Sequence, residues 1–124
     1  MVAIVDYGVG NLFSLKASFA KIGKEAVVTS DAEVIKSASH VLLPGVGAFS
    51  DAAKKLITSG LGDVVIAEAR RGKPILGICL GMQLLFEKSY EYGEHKGLGL
   101  IPGAVCPIAD VIPKDLKIPH IGWN

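Results

Sequence analysis

Cys79 stands in the run GICLGMQLLF, residues 77 to 86, with Gly77 two places before it and Gly81 two places after it. A thiolate is a strong nucleophile, and a nucleophile on a tight strand-to-helix turn sits in a strained backbone conformation. Side chains two residues to either side would collide across such a turn, and glycine at 77 and 81 removes that collision. The turn would lift the thiol above a sheet edge. The helix that follows would offer its N-terminal partial positive charge to the thiolate, and the unpaired N–H of Leu80 could face a developing oxyanion. A lone cysteine after a buried strand is otherwise a small apolar residue, and here the glycine pair favours the nucleophile. Cys106 has no glycines in register and is followed by Pro107, so it is expected to be an inert strand residue.

A second run, LLPGVGAF at 42 to 49, ends an apolar stretch with Pro44, Gly45, Val46 and Gly47. Glycines let a backbone N–H turn towards a ligand, so beside the Cys79 turn this segment becomes the natural second half of an oxyanion hole. Taken alone it could equally be a plain helix-entry turn. GVGNLF at 8 to 13 resembles the start of a dinucleotide fingerprint, but Phe13 stands in place of the third glycine and no acidic residue ends the next strand. RGKP at 71 to 74 lacks both the hydroxyl residue and the upstream glycine of a phosphate-binding loop.

The elements that must position these residues alternate. VAIV (2 to 5) reads as a strand and NLFSLKASFAKIG (11 to 23) as a helix, with Leu12, Leu15, Phe19 and Ile22 at helical spacing, Asn11 as its cap and Gly23 at its end. AVVT (26 to 29), HVLL (40 to 43) and PILGI (74 to 78) read as further strands, with a short helix capped by Ser30 or Asp31 after the first. Helices are expected over 48 to 60 and 61 to 72, and from Cys79 to about Lys88. Residues 90 to 99 read as a loop, and 100 to 124 as extended and punctuated by proline, with no obvious final strand or helix to close a sheet. Apolar strands separated by helices predict an α/β fold with an open, mostly parallel sheet and helices on both faces. Right-handed crossovers then bring residues 6 to 10, 44 to 47 and Cys79 to one sheet edge.

The 124 residues fit one domain, and half of them are hydrophobic, enough for a core. A net charge of +1, with no basic run longer than two, gives no footprint for nucleic acid and no polybasic membrane anchor. Two distant cysteines suggest neither a disulfide framework nor a metal site, and they suit a reducing compartment. No targeting segment or membrane-spanning stretch is evident, so a cytoplasmic protein is expected.

GICLGMQLLF resembles the nucleophile elbow of the class I glutamine amidotransferases, and Met82 with Leu84 and Leu85 looks like one branch, since most others carry histidine in place of Met82. DYGVGN (6 to 11), LLPGVGAF and PHIGWN (119 to 124) stand in the order and at about the separations found in the glutaminase subunits of imidazole glycerol phosphate synthase. The resemblance runs from residue 1 to residue 124. It implies a flavodoxin-like fold in which Cys79 attacks the side-chain amide of glutamine, giving a glutamyl thioester and ammonia. It also implies a (β/α)8 cyclase subunit as partner in a heterodimer, receiving the ammonia for histidine biosynthesis, and no cofactor. Gly45, Val46, Gly47 and Leu80 match the oxyanion elements, Gln83 a substrate contact, and Asn11, His120, Trp123 and Asn124 the side facing the partner. In such relatives, partner binding is expected to reorient the PGVG strand.

One departure matters. The family takes its base from a histidine two residues before a glutamate, and none of His40, His95 and His120 has that neighbour. The 124 residues are therefore expected to be the N-terminal portion of a single amidotransferase domain, inactive alone. Competing readings are a glutaminase of another branch, another cysteine hydrolase, and a non-catalytic docking module. Met82 and PHIGWN argue against the first two.

Overall fold

The computed structural model describes residues 1–110, 113 and 114. Four short strands, β1 (Val2–Val5), β2 (Ala26–Thr29), β3 (His40–Leu43) and β4 (Ile75–Gly77), form a parallel sheet in the order β2-β1-β3-β4. Every pairing is parallel, with Ala3 beside Val41 and Leu42 beside Leu76. The four strands are almost wholly apolar, as strands buried by crossover helices must be. Strand order reverses between β1 and β3, so the loops leaving these two strands diverge and open a crevice at their C-terminal ends.

The two faces are covered unequally. Ala3, Val5, Val41 and Leu43 point into a core with Ile35 of α2 (Ala32–Ser37), Phe49, Ala52 and Leu56 of α3 (Phe49–Thr58), and Leu61 and Val65 of α4 (Leu61–Arg70). The other face carries α1 (Leu12–Lys21), whose Phe19 lines an open groove of about 500 Å3 together with Val2, His40, Leu42 and Leu76. Helices on both faces were expected, yet Leu76 is 57% exposed and Ile22, at the end of the α1 stripe, 68%. The helix caps follow the sequence: Asn11 accepts from Ser14 N–H at 3.3 Å, Asp31 accepts from Glu33 N–H at 2.9 Å, and Gly23 follows α1 at φ +74°.

The chain after Cys79 departs from expectation. The helix α5 spans only Leu80–Leu84, and the residues expected to continue it to Lys88 form a strand, β5 (Phe86–Ser89). The cause is tertiary. The Leu84 carbonyl accepts Leu98 N–H at 2.8 Å, and the Leu85 carbonyl accepts the N–H groups of Leu100 and Ile101 at 2.8 and 2.9 Å. The returning chain thus takes the acceptors that a longer helix would have used. The expected loop over 90 to 99 contains β6 (His95–Lys96), and β7 (Ile101–Val105) follows, giving a second sheet in the order β6-β5-β7 that was not anticipated. Gly97 permits the return, because a Cβ there would overlap the Phe86 carbonyl oxygen. Cys106 lies just past β7 rather than in a strand, and is exposed. Among the described residues no helix is long and apolar enough to cross a membrane.

Candidate functional site

Cys79 links β4 to α5 with φ 56° and ψ −119°, a left-handed φ that only Tyr92 shares among the described non-glycine residues. Such a conformation costs roughly 1–3 kcal/mol and persists only where its surroundings enforce it. Ile78 N–H donates to Leu43 O at 3.0 Å, Gly81 N–H to Ile78 O at 2.9 Å and Gln83 N–H to Cys79 O at 3.3 Å, which fixes the chain on both sides of the thiol. The thiol itself is exposed.

The flanking glycines are required by space. A Cβ on Gly77 would lie 2.6 Å from Met82 Cα and 2.9 Å from Gly81 O, the collision across the turn that the sequence implies. On Gly81 the obstacle is different from the one expected: a Cβ would fall on the Leu43 carbonyl oxygen and lie 2.9 Å from the Pro44 carbonyl carbon. Gly45 completes the interlock, since its Cβ would lie 2.7 Å from Gly81 N, 2.9 Å from the Tyr7 hydroxyl and 3.0 Å from Leu80 Cβ. Three glycines therefore let the end of β3 and the start of α5 touch backbone to backbone.

Around this contact the structure gathers most of the candidate residues. Leu80 is buried, and its N–H, first in α5, has no intrahelical acceptor and no other hydrogen bond among the described residues. Val46 is 55% exposed, and Gly47 adopts φ +93° with open space around it, so glycine is needed there for its backbone angle. Gln83, half-buried, lies one turn along α5 from Cys79. With only five residues, α5 also contributes less N-terminal partial charge than the longer helix that was expected.

Asn11 adjoins this contact, since its neighbour Gly10 packs on Pro44. The Asn11 side chain is engaged as the α1 cap. His40 begins β3, at the strand end opposite Pro44, and pairs with Ser39 Oγ at 2.9 Å. His95 lies in the second sheet and meets Tyr92 O at 3.1 Å. His120, Trp123 and Asn124, with the rest of PHIGWN, fall outside the described residues.

Two residues without an expected role anchor the loop after β3. Tyr7, 6% exposed, donates its hydroxyl to Pro44 O at 2.6 Å, and burial pushes its pKa up to about 12. At the far end, Phe49 N–H donates to Glu91 Oε1 at 2.9 Å, so a carboxylate from the turn after β5 serves the N-terminus of α3, where Ala48 has no side-chain cap to offer. Tyr7 lay within a motif already singled out, but no spacing rule assigns it to Pro44, 37 residues away. Nothing in the sequence points to Glu91, 42 residues from its partner.

A thiol so exposed, beside an unpaired N–H and a glycine loop, can attack a carbonyl carbon and have the resulting oxyanion held by backbone donors. The family model described as "Glutamine amidotransferase class-I" matches residues 3–124. Relatives described as imidazole glycerol phosphate synthase subunit HisH include those of Oceanobacillus iheyensis, 48% identical over 124 residues, Sulfurimonas denitrificans, 51% over 125, and Aquifex aeolicus, 51% over 122. These matches cover 98–100% of this chain and 57–60% of the relatives, so the chain spans less than two thirds of their length. A solved structure described as "Crystal structure of glutamine amidotransferase" superposes with a TM-score of 0.72 at 23% identity, covering 86% of this chain and 56% of that one, a likeness of fold.

Proposed function

The chain belongs to the class-I glutamine amidotransferase family, and on that premise we propose that it forms the nucleophile and oxyanion side of a glutaminase feeding ammonia to a cyclase subunit. The observation that carries this reading is the left-handed Cys79, held at the crevice against the loop after β3. The Cys79 thiolate attacks the γ-carboxamide carbon of glutamine and forms a C–S bond. The carboxamide oxygen takes up negative charge, which the Leu80 N–H and the backbone of Val46 and Gly47 stabilise. Collapse expels the nitrogen as ammonia once it has gained a proton, and water then cleaves the thioester to glutamate. Gln83 contacts the substrate.

The proton transfers need a base and an acid. His40 begins β3 at the strand end opposite the Cys79 turn, and no histidine of the chain stands two residues before a glutamate. The 124 residues thus act as the N-terminal portion of one amidotransferase domain, with the base on further polypeptide such as the relatives carry. The names of those relatives, each a subunit of imidazole glycerol phosphate synthase, support a further subunit as recipient; the proposed recipient is a (β/α)8 cyclase subunit, in histidine biosynthesis. Asn11, His120, Trp123 and Asn124 are the proposed contacts to it.

The test joins these residues to the remaining part of the Aquifex aeolicus relative and measures ammonia release from glutamine in the presence of the cyclase subunit. Release abolished by Cys79→Ala is expected, a loss of several orders of magnitude. A chimera that folds and binds the cyclase yet releases no ammonia would overturn the reading. The unextended chain is expected to release none, and Trp123→Ala in the chimera is expected to weaken cyclase binding more than it lowers the melting temperature.

A further inference from the structure

The geometry points to Tyr7 as a positioning residue for the oxyanion donors, acting through Pro44; this rests on the glutaminase reading above. The loop between β3 and α3 is anchored from outside at both ends. Tyr7 holds Pro44 O at 2.6 Å and Glu91 holds Phe49 N–H at 2.9 Å. Between them, nothing among the described residues hydrogen-bonds the backbone of Val46 or Gly47. Where those two N–H groups aim is therefore set by the peptide planes that precede and follow them.

The Pro44–Gly45 peptide is the plane that matters on the upstream side. A peptide is rigid, so fixing the Pro44 carbonyl fixes the opposed Gly45 N–H and the entry angle of everything after it. The same hydroxyl lies against Gly45, where a Cβ would come within 2.9 Å of it, and Gly45 in turn packs on Leu80 and Gly81 of the elbow. One buried side chain from the β1 loop thereby ties the loop that carries the second donor to the turn that carries the thiol and the first donor. No other hydrogen bond from a side chain reaches Pro44, Gly45, Val46 or Gly47 among the described residues. Tyr7 touches no reacting atom; its effect is on where the oxyanion would be met.

Tyr7→Phe removes the hydroxyl and keeps the ring. Alkylation of Cys79 in the chimera with the Aquifex aeolicus relative is followed with two probes. One is the chloromethyl ketone of the glutamine skeleton in its L and D forms; the thiolate displaces chloride from its methylene carbon while the ketone oxygen occupies the oxyanion position. The other is iodoacetamide, a small alkylating agent without the glutamine skeleton. Rates are normalised to those of free cysteine. The unaltered chimera is expected to prefer the L ketone, and Tyr7→Phe to slow that reaction about fivefold to tenfold, the scale of one hydrogen bond, with iodoacetamide changed less than twofold. A purely structural role for Tyr7 would lower the melting temperature and move both rates together or neither, which overturns the inference. No preference for the L ketone in the unaltered chimera would sink the glutaminase reading and this inference with it. A preference left intact by Tyr7→Phe sinks the inference alone. Should Tyr7→Phe lose its cooperative melt, the unaltered chimera decides: a slowly exchanging Tyr7 hydroxyl proton in its NMR spectrum, close to Gly45, is expected, and its absence overturns the proposal.

Discussion

The elbow and the loop after β3 both depend on glycine, but for opposite reasons. At Gly77 and Gly81 no side chain fits, because backbone atoms of α5 and β3 already fill the place a Cβ would take. At Gly47 a side chain has room, and it is the positive φ that an L-residue resists. One region is fixed by backbone contacts and hydrogen bonds on both sides of the turn. The other is packed at Gly45, but between the Tyr7 and Glu91 contacts Val46 and Gly47 are exposed and their backbone is free of hydrogen bonds among the described residues. A strained turn held rigid beside an exposed, freely spanning segment places rigidity where strain must be enforced and, on the proposed function, conformational latitude where a ligand would be met.

Substitutions at these glycines break the comparison or sharpen it. Gly81→Ala should have the largest effect, since its Cβ overlaps a main-chain carbonyl and the interlock must come apart; a loss of about 4 kcal/mol or more is expected, a large share of a small domain's stability. Denaturant titration measures it, and a loss below 1 kcal/mol would show that β3 and α5 can separate freely. Gly77→Ala should follow at about 2–3 kcal/mol, because Met82 belongs to a short helix that can shift by part of a turn.

Tyr7 supplies a pH dependence of similar size. Its pKa is raised from 10.0 to about 12 in the folded protein, so the folded state holds the phenolic proton more tightly than the unfolded chain. That contribution is fully present below pH 10 and is lost as pH rises towards 12, amounting to about 2–3 kcal/mol. Stability measured across this window should fall in the unaltered chain and fall less in Tyr7→Phe. Parallel curves would mean that the hydroxyl is free to ionise in place. Gly47→Ala should cost the least, about 1 kcal/mol from the left-handed angle alone. If it destabilised as much as Gly77→Ala, the loop would be packed and the contrast drawn above would fail.

Much of this molecule could be read along the chain. The parallel sheet follows from apolar strands alternating with amphipathic helices, and the gathering of residues 6 to 10, 44 to 47 and Cys79 follows from crossover handedness. The Asn11 and Asp31 caps were visible because capping is local. The end of α5 was not. Phe86, Glu87 and Lys88 suit a helix as well as a strand, and the carbonyls of Leu84 and Leu85 were claimed by residues 98 to 101, which no local pattern announces.

At the site, the sequence by itself pointed to Cys79 as the candidate nucleophile and to a need for glycine at 77 and 81. A turn that tight admits few residue types, and those types are rare enough to be noticed. Only the tertiary structure decided what each glycine makes room for, and that Tyr7 and Glu91 hold the two ends of the loop. The physical reason is range. A strained φ or a helix cap is settled by neighbours a few residues away and leaves its mark in composition. A hydrogen bond across 37 or 42 residues depends on how the sheet stacks the loops, and either partner, seen alone, is an ordinary tyrosine or glutamate.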